Sequence, residues 1–179
     1  MAFRRIITIA DPILYKKSAE VTQFNAELRE LIRDMFDTLY KGDGVGLAAV
    51  QIGVLKQVIV YDLKKQGFTK GVIINPKILQ TSPEMIEADE GCLSVPGVSA
   101  LLERPQWVKI RYQNLSGAEH ILEGEYLMAR MILHEMDHLN GEVFIDKLKP
   151  EYKKLVKNDV KMIKKGKLPL KPAETVRSR

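Results

Sequence analysis

The run His134-Glu135-Met136-Asp137-His138 uses two of the chain's three histidines at a spacing that chemistry can exploit. Side chains four residues apart on an α-helix stack on one face. Both imidazoles can therefore reach a single metal ion, and Glu135 beside them is placed to handle the proton of a water at that ion. That is hydrolytic chemistry. The plain alternative is a core helix with two buried histidines, and the motif alone does not decide between them. Cys92 is the only cysteine, so it forms no disulfide within the chain. A lone cysteine is often just a small buried apolar residue. However, three protein ligands with one open position is the usual catalytic metal arrangement, and one Cys with two His is a known set. Within Glu90-Gly91-Cys92-Leu93-Ser94, the backbone N–H of Leu93 then falls near the open position as an oxyanion donor.

Gly44-Val45-Gly46-Leu47-Ala48-Ala49 matches G-x-G-x-x-A, with the acid Asp62 at the end of a later strand, the outline of a dinucleotide-binding turn. Context counts against it. That fingerprint comes after a strand and opens a long helix, whereas here an amphipathic helix precedes the glycines and Gly53 interrupts the residues beyond them. Two readings stay open: a glycine-permitted turn without a role, or a close backbone approach to a ligand, with the Gln51 carboxamide as donor.

These residues need elements to hold them. Leu127, Met128, Met131 and Ile132 recur at helical spacing ahead of the histidines, and Gly141 stands where a C-terminal cap belongs. Asn25 precedes Leu28, Leu31, Ile32, Met35, Phe36 and Leu39, an amphipathic helix stopped by Gly42. Strands are predicted over 57–62, 71–79, 107–113 and 119–122, set apart by Gly, Pro, Asn and Ser. They fall mostly between two long helices rather than alternating with crossover helices. The fold class is therefore α+β: antiparallel sheets around a central metal-binding helix, with an N-terminal and a basic C-terminal helix. The last helix starts near Pro150-Glu151, with Tyr152, Leu155, Val156 and Ile163 inward and Lys153, Lys154, Lys157, Lys161, Lys164 and Lys165 toward solvent.

The chain's 179 residues fit one catalytic domain over 1–165, with 166–179 as a mobile basic tail. A domain of this size buries roughly 70% of its unfolded surface and needs no disulfide. No apolar run approaches the roughly 18 residues of a membrane span, and the short apolar stretch after Arg4-Arg5 soon meets Asp11-Pro12, too brief for a signal-peptide core. The expected location is the cytoplasm. The net charge of +5 belongs to the C-terminal end: residues 151–179 hold ten Lys or Arg against three acids, leaving the rest near −2. A solvated helix face accounts for such lysines as well as a docking surface does.

Three motifs in this order, G-V-G-L-A-A-V-Q from Gly44 to Gln51, E-G-C-L-S from Glu90 to Ser94 and H-E-M-D-H-L-N-G from His134 to Gly141, closely resemble the peptide deformylase family. The likeness runs from Asp11-Pro12 through the C-terminal helix. It implies hydrolysis of the formyl group from the N-terminal methionine of newly made proteins, with Cys92, His134 and His138 as ligands to one divalent ion. Iron(II) is the expected ion, and zinc, nickel or cobalt can occupy the same site. Glu135 is then general base and acid, with Gln51 and the Leu93 N–H on the oxyanion. Val45, Leu127 and Met131 form the methionine pocket by position in the family pattern, and backbone near Gly46 and Gly91 holds the peptide as an added strand. The implied partners are N-formylmethionyl nascent peptides and, through the basic C-terminal helix, the ribosome, without membrane or sequence-specific nucleic-acid binding. Removal of that helix is expected to spare hydrolysis of small peptides. Two positions depart from the pattern. Leu133 stands where members usually have Gln before the first histidine, and Ser99 where some have a substrate-contacting arginine, although Arg104 is kept.

Two rivals remain. A metallopeptidase shares the helix motif but usually takes a third ligand downstream, and no histidine comes after His138. A catalytically silent metal-binding or ribosome-associated module keeps the ligands without using Glu135.

Overall fold

Asn25 opens the first helix as its spacing predicts, its side-chain oxygen accepting from the Leu28 N–H at 3.1 Å. The structure, a computed structural model, describes residues 3–67 and 69–167, so the expected tail from residue 168 lies outside the described residues. Helix α1 (Ala26–Gly42) buries Leu28, Leu31, Ile32, Met35 and Leu39 along one face. Gly42 is its last residue, and Asp43, not the glycine, takes the left-handed conformation at φ 52°.

Seven strands come next: β1 (Gly46–Ala48), β2 (Val58–Asp62), β3 (Lys70–Thr81), β4 (Met85–Gly91), β5 (Ser99–Pro105), β6 (Trp107–Gln113) and β7 (Glu119–Glu125). Five form an antiparallel sheet in the order β1-β2-β3-β6-β7, while β4 and β5 form a separate hairpin. Among the described residues three α-helices follow: α2 (Leu127–Leu139), the short α3 (Phe144–Lys147) and α4 (Pro150–Lys164). The α+β class with antiparallel sheets stands as expected.

The β2 strand shows why the sheet has two cores. Successive side chains point to opposite faces, so a strand covered on both sides reads as a continuous apolar run. Val58 and Val60 pack with Leu31, Met35 and Leu39 of α1, whereas Ile59 and Tyr61 pack with Met128, Ile132 and Met136 of α2. The histidine-bearing helix thus lies within the larger core. Its C-terminus is fixed by Gly141, whose φ of 77° leaves its α-hydrogen side against the Tyr15 carbonyl; a Cβ there would meet that oxygen at 2.5 Å. The Ser18 N–H also donates to the Leu139 carbonyl at 2.8 Å, tying the N-terminal segment to the end of α2.

Several expectations need correction. The residues read as a loop after Gly42 contain β1, and the β4–β5 hairpin has no counterpart among the predicted strands. Leu155 is exposed, leaving Tyr152, Val156 and Ile163 as the buried face of α4. Those three side chains join the larger core, so α4 packs against the rest of the described residues.

Candidate active site

Helix α2 carries His134, Glu135 and His138 into the protein, where all three are buried. Cys92 arrives from the loop just after β4. Its Sγ lies 3.1 Å from His138 Nε2, and the donor atoms of Cys92, His134 and His138 all lie within 4.8 Å of one another. One ion with bonds of about 2.0–2.3 Å can be shared by atoms so grouped. The sulfur also accepts from the Ser94 backbone N–H at 3.4 Å and from Gln51 Nε2 at 3.5 Å.

The histidines differ in state. Glu90 is 4% exposed at its side chain and its Oε1 takes His134 Nδ1–H at 2.6 Å, turning Nε2 toward the cysteine. Burial opposes charge on His134, but its contacts with Cys92 and Glu90 outweigh that and raise its pKa well above the usual value. The pull that holds a proton there is the pull a metal cation would feel. Burial and the neighbouring His134 lower the pKa of His138, leaving that imidazole neutral and able to donate a lone pair. A thiol and two imidazoles aimed at one point therefore fit a divalent metal ion.

Glu135 sits beside this group without belonging to it. Burial raises its pKa to about 7, against the opposing pull of His134, and its Oε2 has no hydrogen-bond partner among the described residues. Gly46 makes this placement feasible, since a Cβ on it would come within 2.6 Å of Glu135 Oε1. Gln51 is held by its own Oε1, which accepts from the Ala48 N–H at 2.8 Å, and its amide nitrogen donates to Ser94 Oγ at 3.2 Å.

A cavity of about 530 Å³ opens onto these groups, within the usual size of a small-ligand site. Its lining includes Val45, Gly46, Gln51, Gly91, Cys92, Leu93, Leu127, Met131, His134 and Glu135, with His138 behind the wall. The residues singled out from the sequence are thus brought to one place. Ser99 lines the same cavity. Leu133 lies in the apolar core and, because Glu90 occupies His134 Nδ1, the partner of that ring is not residue 133.

Sequence reasoning missed the charged frame around the site. Glu90 receives Arg104 from β5 and Arg130 from α2, at 2.5 and 2.8 Å, and Arg104 also reaches Asp137 at 2.7 Å. These ties hold the Glu90 carboxyl well below its ordinary range: burial alone pushes it up, and hydrogen bonds from His134 and Arg104 prevail. One signal was available: Arg130 is a charge on the apolar face of α2, one turn before His134.

A His-Glu-x-x-His helix with a cysteine from a neighbouring loop and a poised buried carboxylate over a cavity defines a metal-dependent hydrolase. Residues 3–154 match the family model described as polypeptide deformylase. The chain is 48% identical over 148 residues to peptide deformylase 1 of Clostridium acetobutylicum, covering 83% of this chain and 96% of that one. Among solved structures, the peptide deformylase of Legionella pneumophila superposes with a TM-score of 0.84 at 37% identity, covering 92% and 96% of the two chains. That of Thermotoga maritima gives 0.80 at 41% identity, covering 84% of this chain and all of the other. The chain belongs to the peptide deformylase family, whose members are metal-dependent.

Proposed function

We propose that the chain hydrolyses the formyl amide at the N-terminus of newly made polypeptides, with Cys92, His134 and His138 holding the ion and Glu135 carrying the proton. The observation that carries this is geometric: three converging donors stand beside Glu135, a buried carboxylate whose Oε2 has no hydrogen-bond partner among the described residues. An ion at those donors supplies Lewis acidity, making water a usable nucleophile near neutral pH and polarising the formyl carbonyl.

Near pH 7 Glu135 is poised to accept a proton and to give it back. It takes one proton of the attacking water, then delivers it to the amide nitrogen as the C–N bond breaks, so that a neutral amine leaves together with formic acid, whose remaining proton passes to solvent to give formate. Negative charge grows on the formyl oxygen meanwhile. Gln51 Nε2, on giving up its long contact with Cys92 Sγ, and the Leu93 N–H serve as its donors, each typically worth a hundredfold to a thousandfold in rate.

The formyl carbon carries only hydrogen, so a narrow approach admits it and rejects acetyl by overlap. Val45, Leu127 and Met131 line the same cavity and take the methionine side chain. Strand β1 is an edge of the sheet and β4 ends at Gly91, so the peptide backbone can lie between Gly46 and Gly91 as an added strand. Iron(II) is the proposed native ion, matching a donor set of one thiolate and two imidazoles that also suits zinc, nickel or cobalt. The reaction takes place in the cytoplasm on nascent chains, and the exposed lysines of α4 provide electrostatic contact with ribosomal RNA.

Anaerobic purification with metal analysis, followed by a formate assay on a formyl-methionyl peptide beside its acetyl counterpart, tests the reading. It requires one ion per chain and formate release, with the acetyl peptide left intact. A protein that binds an ion and cleaves neither peptide refutes it.

A further inference from the structure

Arg130 is charged, 8% exposed and surrounded by the apolar residues of α2, an expensive placement for a residue without a task. Its guanidinium grips the β4–β5 hairpin at two points. Nη1 donates to Glu90 Oε2 at 2.8 Å and Nη2 donates to the Ile86 carbonyl at 2.9 Å. A planar fork is well suited to such a double contact, and a lysine cannot reproduce it.

The origins of the partners show what this contact adds. Glu90 and Arg104 belong to the same hairpin, where Ile86 is paired with Arg104, so their bond braces the hairpin within itself. Arg130 comes from the helix that carries both histidines, whereas Cys92 comes directly after the strand that Arg130 holds. Two further ties join hairpin to helix. Arg104 to Asp137 shares its carboxylate with Lys147 on the other oxygen, and His134 to Glu90 depends on Glu90 staying where Arg104 and Arg130 keep it.

We infer that Arg130 is a positioning residue: by clamping Glu90 and the Ile86 backbone to α2, it sets where Cys92 and His134 stand relative to each other and so tunes the affinity of the site for its ion. This rests on the ion-site reading above. Groups that orient a metal ligand typically contribute tenfold to a hundredfold in metal affinity.

The test uses the full chain, stripped of metal and titrated anaerobically with cobalt(II), whose thiolate charge-transfer and ligand-field absorption report coordination without any turnover. Arg130→Met is expected to weaken cobalt binding about 10- to 100-fold and alter the ligand-field spectrum, with Arg130→Lys falling between it and wild type. In a Glu90→Gln background, Arg130→Lys should add a smaller further loss, since the clamp then holds only the Ile86 carbonyl and a neutral amide in place of the carboxylate that orients His134. Should Arg130→Met fail to fold, the Arg130→Lys comparison in the two backgrounds decides alone. Wild-type affinity and spectrum in a folded Arg130→Lys, or the same loss with and without Glu90, overturns the inference. A wild-type chain that takes up no cobalt would instead refute the ion site itself.

Discussion

Gly46 is a glycine because Glu135 is so close. A single methyl group at residue 46 would lie 2.6 Å from the carboxylate oxygen and force the acid or the strand to move. Displacements of about an ångström at a reacting group cost on the order of a hundredfold in rate. Gly46→Ala should therefore lower formate release by about that factor while the chain still folds and keeps its ion, as far-UV circular dichroism and metal analysis would verify. Near-normal turnover would mean that Glu135 has freedom the packing denies it. The same residue shows how far the sequence could be read. The glycines were legible as either an idle turn or a close approach, and only the distance to a side chain far along the chain chooses the second. Glu90 and Arg130 escaped for the same reason, since nothing local announces a buried ion cluster assembled from β4, β5 and α2.

At the scale of elements, helices were easier to read than strands. The apolar spacing of α1 and α2 survives because each helix buries one continuous face, and the caps at Asn25 and Gly141 are local chemistry. Strands β4 and β5 were missed because Glu87, Asp89, Glu90, Glu103 and Arg104 break any apolar run, and the three-residue β1 is too short to show a period. Gly141 gives the clearest prediction here. Its left-handed φ and the Tyr15 carbonyl oxygen, 2.5 Å from where a Cβ would stand, together predict that Gly141→Ala destabilises the protein by about 2 kcal/mol. For a chain of this size that lowers the melting temperature by roughly 4–8 °C, measurable by calorimetry on the metal-free protein. An unchanged melting temperature would show that this end of α2 is not held as described.

The molecule as a whole is a catalytic unit with a basic flank. Tyr152, Val156 and Ile163 anchor α4 in the larger core, while Lys153, Lys154, Lys157, Lys161 and Lys164 are exposed. Deleting the helix would remove buried apolar side chains together with its charge; replacing only its lysines isolates the charge. Replacing Lys154, Lys157, Lys161 and Lys164 by Glu should leave formate release from a small peptide within about twofold and sharply weaken binding to purified ribosomes, with a shallower salt dependence. Sedimentation at several salt concentrations would measure it, and unaltered binding would locate any ribosome contact elsewhere. Among the described residues no helix is long and apolar enough to cross a membrane.

Labour at the site is divided between three donors placed to hold an ion and one carboxylate placed to move a proton, and Glu135→Gln separates the two. This variant should still bind one metal ion per chain with near-native affinity while its formate release from a formyl-methionyl peptide falls by at least about a hundredfold. Full turnover in the metal-loaded variant would contradict it.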